Sequence, residues 1–362
     1  MNKIFYRKPL FSNFSSPYVF KFPSTASLKK NQNVETLRGL AIILVVFGHM
    51  IGSTNTGGMN VNDDSIFRYM YYSLEYIRMP LFTVISGWVY ANKPILNINQ
   101  TKFIKGKLRR LILPMFVISA LLFLFRMIIP GTNSTPEISD LPHNLIFPYD
   151  VFWYLYSLFL IFLAITVLDS KPLFHKIEGW SITLISSFAL LFITENFLDS
   201  VPNMFSFKGA IYLFPFFLIG IGIFRFKDFL LNDKMTFLLL SVFIAGMIIQ
   251  QMVWFGYFPL QEKKSVLGMA VGISGIFLLF KLKLKNNLLI WIGGYAYSIF
   301  LFHVFFTGGS RIILLKMGIE NQWTILILGV LSSILFSILA EAVISRFNIL
   351  KFCFLGLKKH EK

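Results

Sequence analysis

Cysteine is almost absent from the chain, since Cys353 is the only one in 362 residues. A single thiol excludes an internal disulfide and any metal site built on cysteines, and we expect no metal. Charged residues are also scarce, at 14% of the chain. The first 36 residues contain no short apolar core followed by a small-residue cleavage site, so no cleavable signal peptide is predicted.

Apolar residues are abundant instead, at 56% of the chain with 42 phenylalanines. A soluble chain would alternate apolar and polar faces, whereas this hydropathy extends over the whole length, which is typical of a multi-pass membrane protein. We predict an all-α integral membrane protein, a bundle of about ten transmembrane helices, from apolar runs near residues 37–53, 67–91, 108–128, 150–168, 180–198, 208–224, 235–255, 265–281, 288–306 and 324–344.

The net charge of +17 does not indicate nucleic-acid binding, because the basic residues lie between apolar runs. With the N-terminus in the cytoplasm, the inward segments carry 26 Lys and Arg and the outward loops carry 5. This asymmetry predicts that both termini are cytoplasmic. We therefore divide the chain into a basic cytoplasmic segment (1–33), a transmembrane domain (34–348) and a basic cytoplasmic tail (349–362).

Two polar residues, Arg38 and His49, lie on the first predicted span. Eleven residues turn an α-helix about 20° beyond three full turns, so both side chains share one stripe, about 16 Å apart. Glu35 is close to the same stripe and could hold the Arg38 guanidinium. Anchoring explains Arg38 equally well, and His49 could be a packing residue. A histidine at membrane depth is nevertheless well suited to proton transfer.

The second predicted span contains Glu75 and Arg78 ahead of a proline, Pro80. Charged side chains within a span are costly and usually face the interior of the bundle, which makes Arg78 a functional candidate, with Glu75 as a candidate partner. The small pair Ser86–Gly87 is expected to allow close helix contact, although Ser86 is also a candidate substrate contact.

The third predicted span begins with a basic stretch that includes Lys107, Arg109 and Arg110. This stretch ends at Pro114. Clustered Arg and Lys suit the phosphates of a coenzyme, and topological anchoring is the alternative. Farther along, Trp153 and Tyr156 could stack on sugar rings or belong to an interfacial aromatic belt.

A second histidine at membrane depth, His303, lies near the outer end of the ninth predicted span, and we predict that His303 and Glu35 contact the substrate. Glu341 places a carboxylate in the last span, where pairing with Arg346 would explain it.

These residues together resemble the acyltransferase family 3 of integral membrane acyltransferases, which includes bacterial polysaccharide O-acetyltransferases. The resemblance extends in family order over residues 34 to about 305. Its motifs are "RGLAIILVVFGH" (38–49), "PLFTVISG" (80–87), "KLRRLILP" (107–114), "WYLY" (153–156), "LFPFFLIGIGIF" (213–224) and "YAYSIFLFH" (295–303).

The resemblance implies an acyltransferase that takes an acyl group, usually acetyl, from cytoplasmic acyl-coenzyme A to a hydroxyl of an extracytoplasmic or lipid-linked glycan. It implies that His49 is the essential histidine, with Arg38 as its basic partner, and that Arg109 or Arg110 lies near the coenzyme entrance. The family often has a Glu-x-Pro element in its last span, from which Glu341 departs.

On this hypothesis, His49 accepts the proton of the attacking hydroxyl and Arg78 stabilises the oxyanion. An acyl-histidine intermediate is the alternative. We expect acetyl-coenzyme A, a glycan and the bilayer as partners, no nucleic acid, and a location in the bacterial plasma membrane. A transporter or glycan flippase is the competing function, and the absence of related halves in the hydropathy disfavours it.

Overall fold

The computed structural model describes residues 31–92, 94, 99–169, 174 and 176–358, and this part of the chain is helical with no strand. The predicted N-terminal segment 1–33 falls almost wholly outside the described residues. In chain order the α-helices are α1 (Gln32–Ile51), α2 (Ile66–Asn92), α3 (Gln100–Lys107), α4 (Leu113–Ile128), α5 (His143–Ile146), α6 (Trp153–Leu168), α7 (Ile177–Phe197), α8 (Phe207–Arg225), α9 (Lys227–Leu230), α10 (Asp233–Trp254), α11 (Val266–Lys281), α12 (Asn287–Gly294), α13 (Ala296–Lys316), α14 (Gln322–Ile344) and α15 (Asn348–Leu355).

The predicted all-helical membrane protein is confirmed. Within the described ranges, eight helical segments are long and apolar enough to cross a membrane. Helix α11 is apolar but has only 16 residues. Helix α2 has 27 residues, and the charges of Arg68, Glu75 and Arg78 lower its hydropathy. The count of ten spans and the cytoplasmic placement of the termini stay predictions.

The ninth predicted span, 288–306, differs from the structure. The segment is divided into α12 and α13 at Tyr295, and α13 continues to Lys316. Arg311, which the sequence placed in an outward loop, is therefore part of a helix and is 5% exposed. Its guanidinium donates to the backbone carbonyls of Gly58 and Gly131, which takes the place of hydrogen bonds to water.

Short polar residues define where the helices begin. Their side chains lie one position before the first turn and accept a hydrogen bond from a backbone N–H that has no partner within the helix. This N-cap is formed by Asn31, Asn99, Asn232, Ser265, Asn286 and Asn321, at the starts of α1, α3, α10, α11, α12 and α14.

Helices α2 and α8 pack with their backbones in contact. A Cβ atom at Gly87 would overlap the carbonyl of Phe217, and one at Gly220 would overlap the carbonyl of Val84. One glycine on each helix thus removes the side chain that would separate them, as expected for membrane helices that associate through small residues. This confirms the close contact that the pair Ser86–Gly87 predicts.

Proline 80 does not interrupt α2, which continues from Ile66 to Asn92. A proline has no N–H, so the carbonyl of Tyr76, four residues earlier, has no helical donor. Gly272 of α11 packs directly against this carbonyl, where a Cβ would approach to 2.6 Å. Helix α11 therefore covers the carbonyl of Tyr76 that lacks a helical donor.

A buried acid joins α2, α6 and α8 at one end of the bundle. Asp169 is fully buried, and Arg225 donates to both of its carboxylate oxygens, at 3.1 and 3.2 Å. The hydroxyl of Tyr90 donates to the same carboxylate at 2.7 Å. A buried ion pair of this kind is stabilising only while both partners are present.

We predict that Asp169→Ala lowers the free energy of unfolding by about 3–5 kcal/mol, because Arg225 would be left buried without its counter-charge. The measurement is denaturant unfolding of the purified protein in detergent micelles. Asp233→Ala, which removes the exposed partner of Lys281, is the control and should unfold like the wild type. Equal stability of the Asp169 and Asp233 variants would contradict this role for the buried acid.

Candidate active site

Two histidines meet inside the bundle. His49, near the end of α1, packs against His303 of α13 with 5.1 Å between the ring centroids. His303 is fully buried, and its Nδ1 lies 3.0 Å from the carbonyl of Ile299 and 2.9 Å from that of Phe300. Because a carbonyl only accepts, Nδ1 carries the proton and Nε2 has a lone pair. His303 Nε2 is buried without a hydrogen-bond partner among the described residues, so the two rings are in contact but not hydrogen-bonded.

A cation lies beside this pair. The guanidinium of Arg78 packs on the backbone of Gly48, where a Cβ atom would overlap Nη1. Arg78 is 8% exposed, its Cζ lies 4.0 Å from the centre of the Tyr71 ring, and its Nε has no hydrogen-bond partner among the described residues. Glu75 lines the same cavity, but no ion pair joins it to Arg78 in the described part of the chain. A positive charge is thus held next to His49, and no carboxylate among the described residues forms an ion pair with it.

Two cavities open onto His49. The smaller has a volume of about 90 Å³ and the larger about 350 Å³. Of the residues that line them, His49 is the only one shared. The smaller is lined by Val45, His49, Tyr71, Glu75, Arg78, Met79, Val151, Trp153, Tyr212, Lys263 and Phe300.

The smaller cavity contains residues that sequence reasoning missed. Tyr212 comes from α8, and its ring is almost fully buried. Lys263 comes from the connection between α10 and α11, and its Nζ lies 5.7 Å from the centre of the Trp153 ring. The sequence held no signal for either residue, because a tyrosine and a loop lysine are both ordinary in a membrane protein.

The larger cavity is polar and lies under two connections, 52–58 and 129–150. Arg126 at the end of α4 forms an ion pair with Asp150, which precedes α6. Arg311 enters from α13 and donates to the side chain of Asn133. None of these four residues was identified as a site residue from the sequence, since the charges come from distant segments.

Arg38 and Glu35 lie at the other end of α1. The guanidinium donates to both carboxylate oxygens, at 3.0 and 3.1 Å, as the sequence predicts. Because α1 is continuous, the rise between Arg38 and His49 is about 16 Å. Neither residue lines the two cavities, so the structure does not bring Arg38 to His49 or Glu35 to a substrate there.

The basic residues before α4 lie on a short π-helical turn, Leu108–Ile112. Pro114 has no N–H, so the carbonyl of Arg110 lacks its usual helical donor. The hydroxyl of Tyr297 donates to that carbonyl instead. Arg110 is exposed and Arg109 is half-buried. Such π-turns occur frequently at functional sites.

Lys107 has different surroundings from the two arginines. Its Nζ lies 3.5 Å from the centre of the Phe162 ring and 5.1 Å from that of Phe103, which is a cation–π arrangement. The ammonium group therefore contacts aromatic rings in this structure. Neither cavity at His49 is lined by Lys107, Arg109 or Arg110.

Three residues of α13 connect this basic turn to the histidines. Tyr297 bonds to Arg110, Phe300 lines the smaller cavity, and His303 packs on His49. Positions three apart are neighbours on a helix, and from Tyr297 to His303 the helix rises about 9 Å while the side-chain direction turns by about 120°. The basic turn and the histidine pair are thus linked over a short distance by one rigid element.

Outside α1 and α13, the predicted substrate contacts are Ser86, Trp153 and Tyr156, and they have different surroundings. Trp153 lines the smaller cavity with His49. Ser86 donates to the carbonyl of Phe82 within its own helix, at 3.0 Å, and lines neither cavity. Tyr156 is 5% exposed, and its hydroxyl donates to the carbonyl of Leu145, so it holds a loop. The structure therefore does not bring Ser86 and Tyr156 to the site.

Comparison with known families gives one match. Residues 31–342, nearly the whole chain, match the family model described as an acyltransferase domain, acyltransferase 3. No curated protein and no solved structure matches the chain.

We predict that Gly48→Ala lowers the rate of acyl transfer by about 100-fold, because the new methyl group displaces the guanidinium of Arg78 from His49. The clash is with the flexible end of a side chain, so the protein should still fold. The rate is measured on purified protein of verified size and melting temperature. Gly309→Ala, where a Cβ meets no atom within 4 Å, is the control. An unchanged rate in Gly48→Ala would show that the position of Arg78 is unimportant.

Proposed function

The chain belongs to the acyltransferase 3 family and is a membrane acyltransferase, and from this premise we propose that it moves an acyl group, typically acetyl, from cytoplasmic acyl-coenzyme A to a hydroxyl of a cell-surface or lipid-linked glycan in the bacterial plasma membrane. The observation that supports this most is the position of His49 between two cavities. A transferase needs one group that donor and acceptor both reach, and His49 is the residue that the two cavities share.

In the proposed reaction, His49 acts as the general base. A sugar hydroxyl is a poor nucleophile until its proton is removed, and a neutral imidazole is suited to that task. The hydroxyl oxygen attacks the thioester carbon while its proton passes to His49. The tetrahedral intermediate then collapses, the carbon–sulfur bond breaks, and the proton is returned to the coenzyme thiolate.

Arg78 supplies the charge that the tetrahedral intermediate requires. Its guanidinium lies on Gly48 beside His49, with no carboxylate paired to it in the described residues. An unpaired, pre-positioned cation in a site shielded from water stabilises a developing oxyanion strongly. The smaller cavity, at about 90 Å³, has room for an acyl group and the reacting atoms.

His303 holds His49 in place in this proposal. Its Nδ1 proton is fixed on two backbone carbonyls, which leaves its Nε2 as an acceptor only. This Nε2 has no hydrogen-bond partner among the described residues, so in the proposed reaction it accepts a hydrogen bond from His49, and the lone pair of His49 then lies on its other nitrogen, where the acceptor hydroxyl arrives. His303 is thus a positioning residue.

The donor enters from the opposite end of α1. In the proposal, Arg109, Arg110 and Arg38 bind the coenzyme phosphates. The pantetheine arm then extends along α13 from Tyr297 towards His303. Lys107 is less suited to the phosphates, because its ammonium group lies over the Phe162 ring.

His49→Ala should abolish acyl transfer, by at least 1,000-fold, while the protein remains inserted and folded. The loss of a general base and of the thiolate's proton source together accounts for this magnitude. The measurement is coenzyme A release from acetyl-coenzyme A in the presence of acceptor glycan. His143→Ala, an exposed histidine in the outer connection, is the matched control. Full activity of His49→Ala would exclude this residue from the mechanism.

Arg109→Ala/Arg110→Ala should raise the apparent KM for acetyl-coenzyme A at least tenfold, because two phosphate contacts are lost. The backbone contact of Arg110 with Tyr297 does not depend on the side chain and should persist. Lys102→Ala/Lys105→Ala removes the same charge from exposed positions one to two turns earlier and is the control. If both double variants behave alike, the arginines serve only as anchors.

A further inference from the structure

The larger cavity at His49 has the dimensions of a ligand site. Its volume of about 350 Å³ lies within the range of pockets that hold small molecules. Its walls come from the connection after α1, from the end of α4 with the following loop, and from the outer half of α13. One corner is the His49 ring, so a ligand that fills the cavity can present a group to the proposed base.

The charges in this cavity do not cancel. Arg126 and Asp150 form an ion pair and neutralise each other. Arg311 remains, 5% exposed, and its recorded partners are all neutral: the carbonyls of Gly58 and Gly131 and the side-chain oxygen of Asn133. Its Nε is buried with no hydrogen-bond partner among the described residues.

Holding the two loops in place would not by itself require the positive charge of Arg311. Carbonyl and amide oxygens require donors, which a neutral side chain can provide, whereas a buried guanidinium without a counter-ion is costly. An anion that enters the cavity with the ligand would remove that cost. The smaller cavity repeats the imbalance, since Arg78 and Lys263 face Glu75 alone.

The position of Arg311 separates it from the chemistry. It lies eight residues after His303 on α13, a rise of about 12 Å. Arg311 is therefore too far from His49 to contact the thioester, which Arg78 contacts in the proposed reaction. The charge of Arg311 can instead bind another part of the acceptor.

We propose that the larger cavity binds the acceptor as an acidic glycan, with one hydroxyl at His49 and a carboxylate or phosphate at Arg311. This deepens the proposed function and rests on it for the hydroxyl at His49. The binding of an anionic sugar does not depend on acyl transfer, so the two claims can fail separately.

Adjacent glycines on α13 offer a matched test of the cavity. A Cβ atom at Gly308 or at Gly309 meets no atom within 4 Å, but only Gly308 lines the cavity. Gly308→Leu should weaken acceptor binding at least tenfold by filling the cavity, and Gly309→Leu should leave it unchanged. Leucine favours the helix at both positions. Equal binding by the two variants would overturn the site.

Charge selectivity is tested with three probes on the purified protein: methyl glucuronide, glycerol phosphate and methyl glucoside. Binding is measured by calorimetry and by the rise in melting temperature, since a ligand of the folded state stabilises it. We expect an anionic probe to bind at least tenfold more tightly than methyl glucoside. The probe with the tighter binding identifies carboxylate or phosphate as the recognised group, and equal binding of all three overturns the proposal.

Arg311→Gln keeps two donors for the loop carbonyls and removes the charge. It should lose the preference for the anionic probe and retain the weak binding of methyl glucoside. His49→Ala should keep the preference for the anion even though transfer is abolished. If His49→Ala still transfers while the anion preference holds, the proposed mechanism fails and the acidic site stands; a preference that persists in Arg311→Gln overturns the role of Arg311.

Discussion

The contact between the Arg78 guanidinium and the backbone of Gly48 is the interaction on which the rest of the site depends. It places a cation next to His49, and it requires a residue without a side chain immediately before that histidine. It also joins α1 to α2 at the depth where the two cavities meet. A buried cation is costly in a membrane protein, so its presence beside His49 favours a functional role for Arg78.

The two ends of α1 have different chemistry. One end carries the Glu35–Arg38 pair, and the other carries His49 with its cavities. The proposed function requires such a difference between the two ends, because the anionic part of a coenzyme does not cross the apolar interior of a membrane. Helix α13 links the two ends through Tyr297, Phe300 and His303.

Two prolines each leave a backbone carbonyl without its helical donor, and each of these carbonyls contacts another helix. Pro114 deprives the carbonyl of Arg110 of its donor, and the Tyr297 hydroxyl replaces it, which ties the π-turn to α13. Pro80 leaves a carbonyl on α2 against which Gly272 packs. In both cases a missing hydrogen bond within one helix becomes a contact with another, because an unsatisfied backbone group is costly inside a membrane.

The sequence by itself determined the membrane class and the approximate helix bounds, and it distinguished His49, Arg78 and His303 as polar residues within the predicted spans. Apolar runs of sufficient length must be buried in lipid or protein, and polar groups within them stand out. Only the tertiary structure decided which of these polar groups meet. Periodicity assigns a residue to a face of its own helix, but it does not say which helix lies opposite, so Ser86 and Tyr156 were misplaced and the charges of Asp150 and Arg311 were missed.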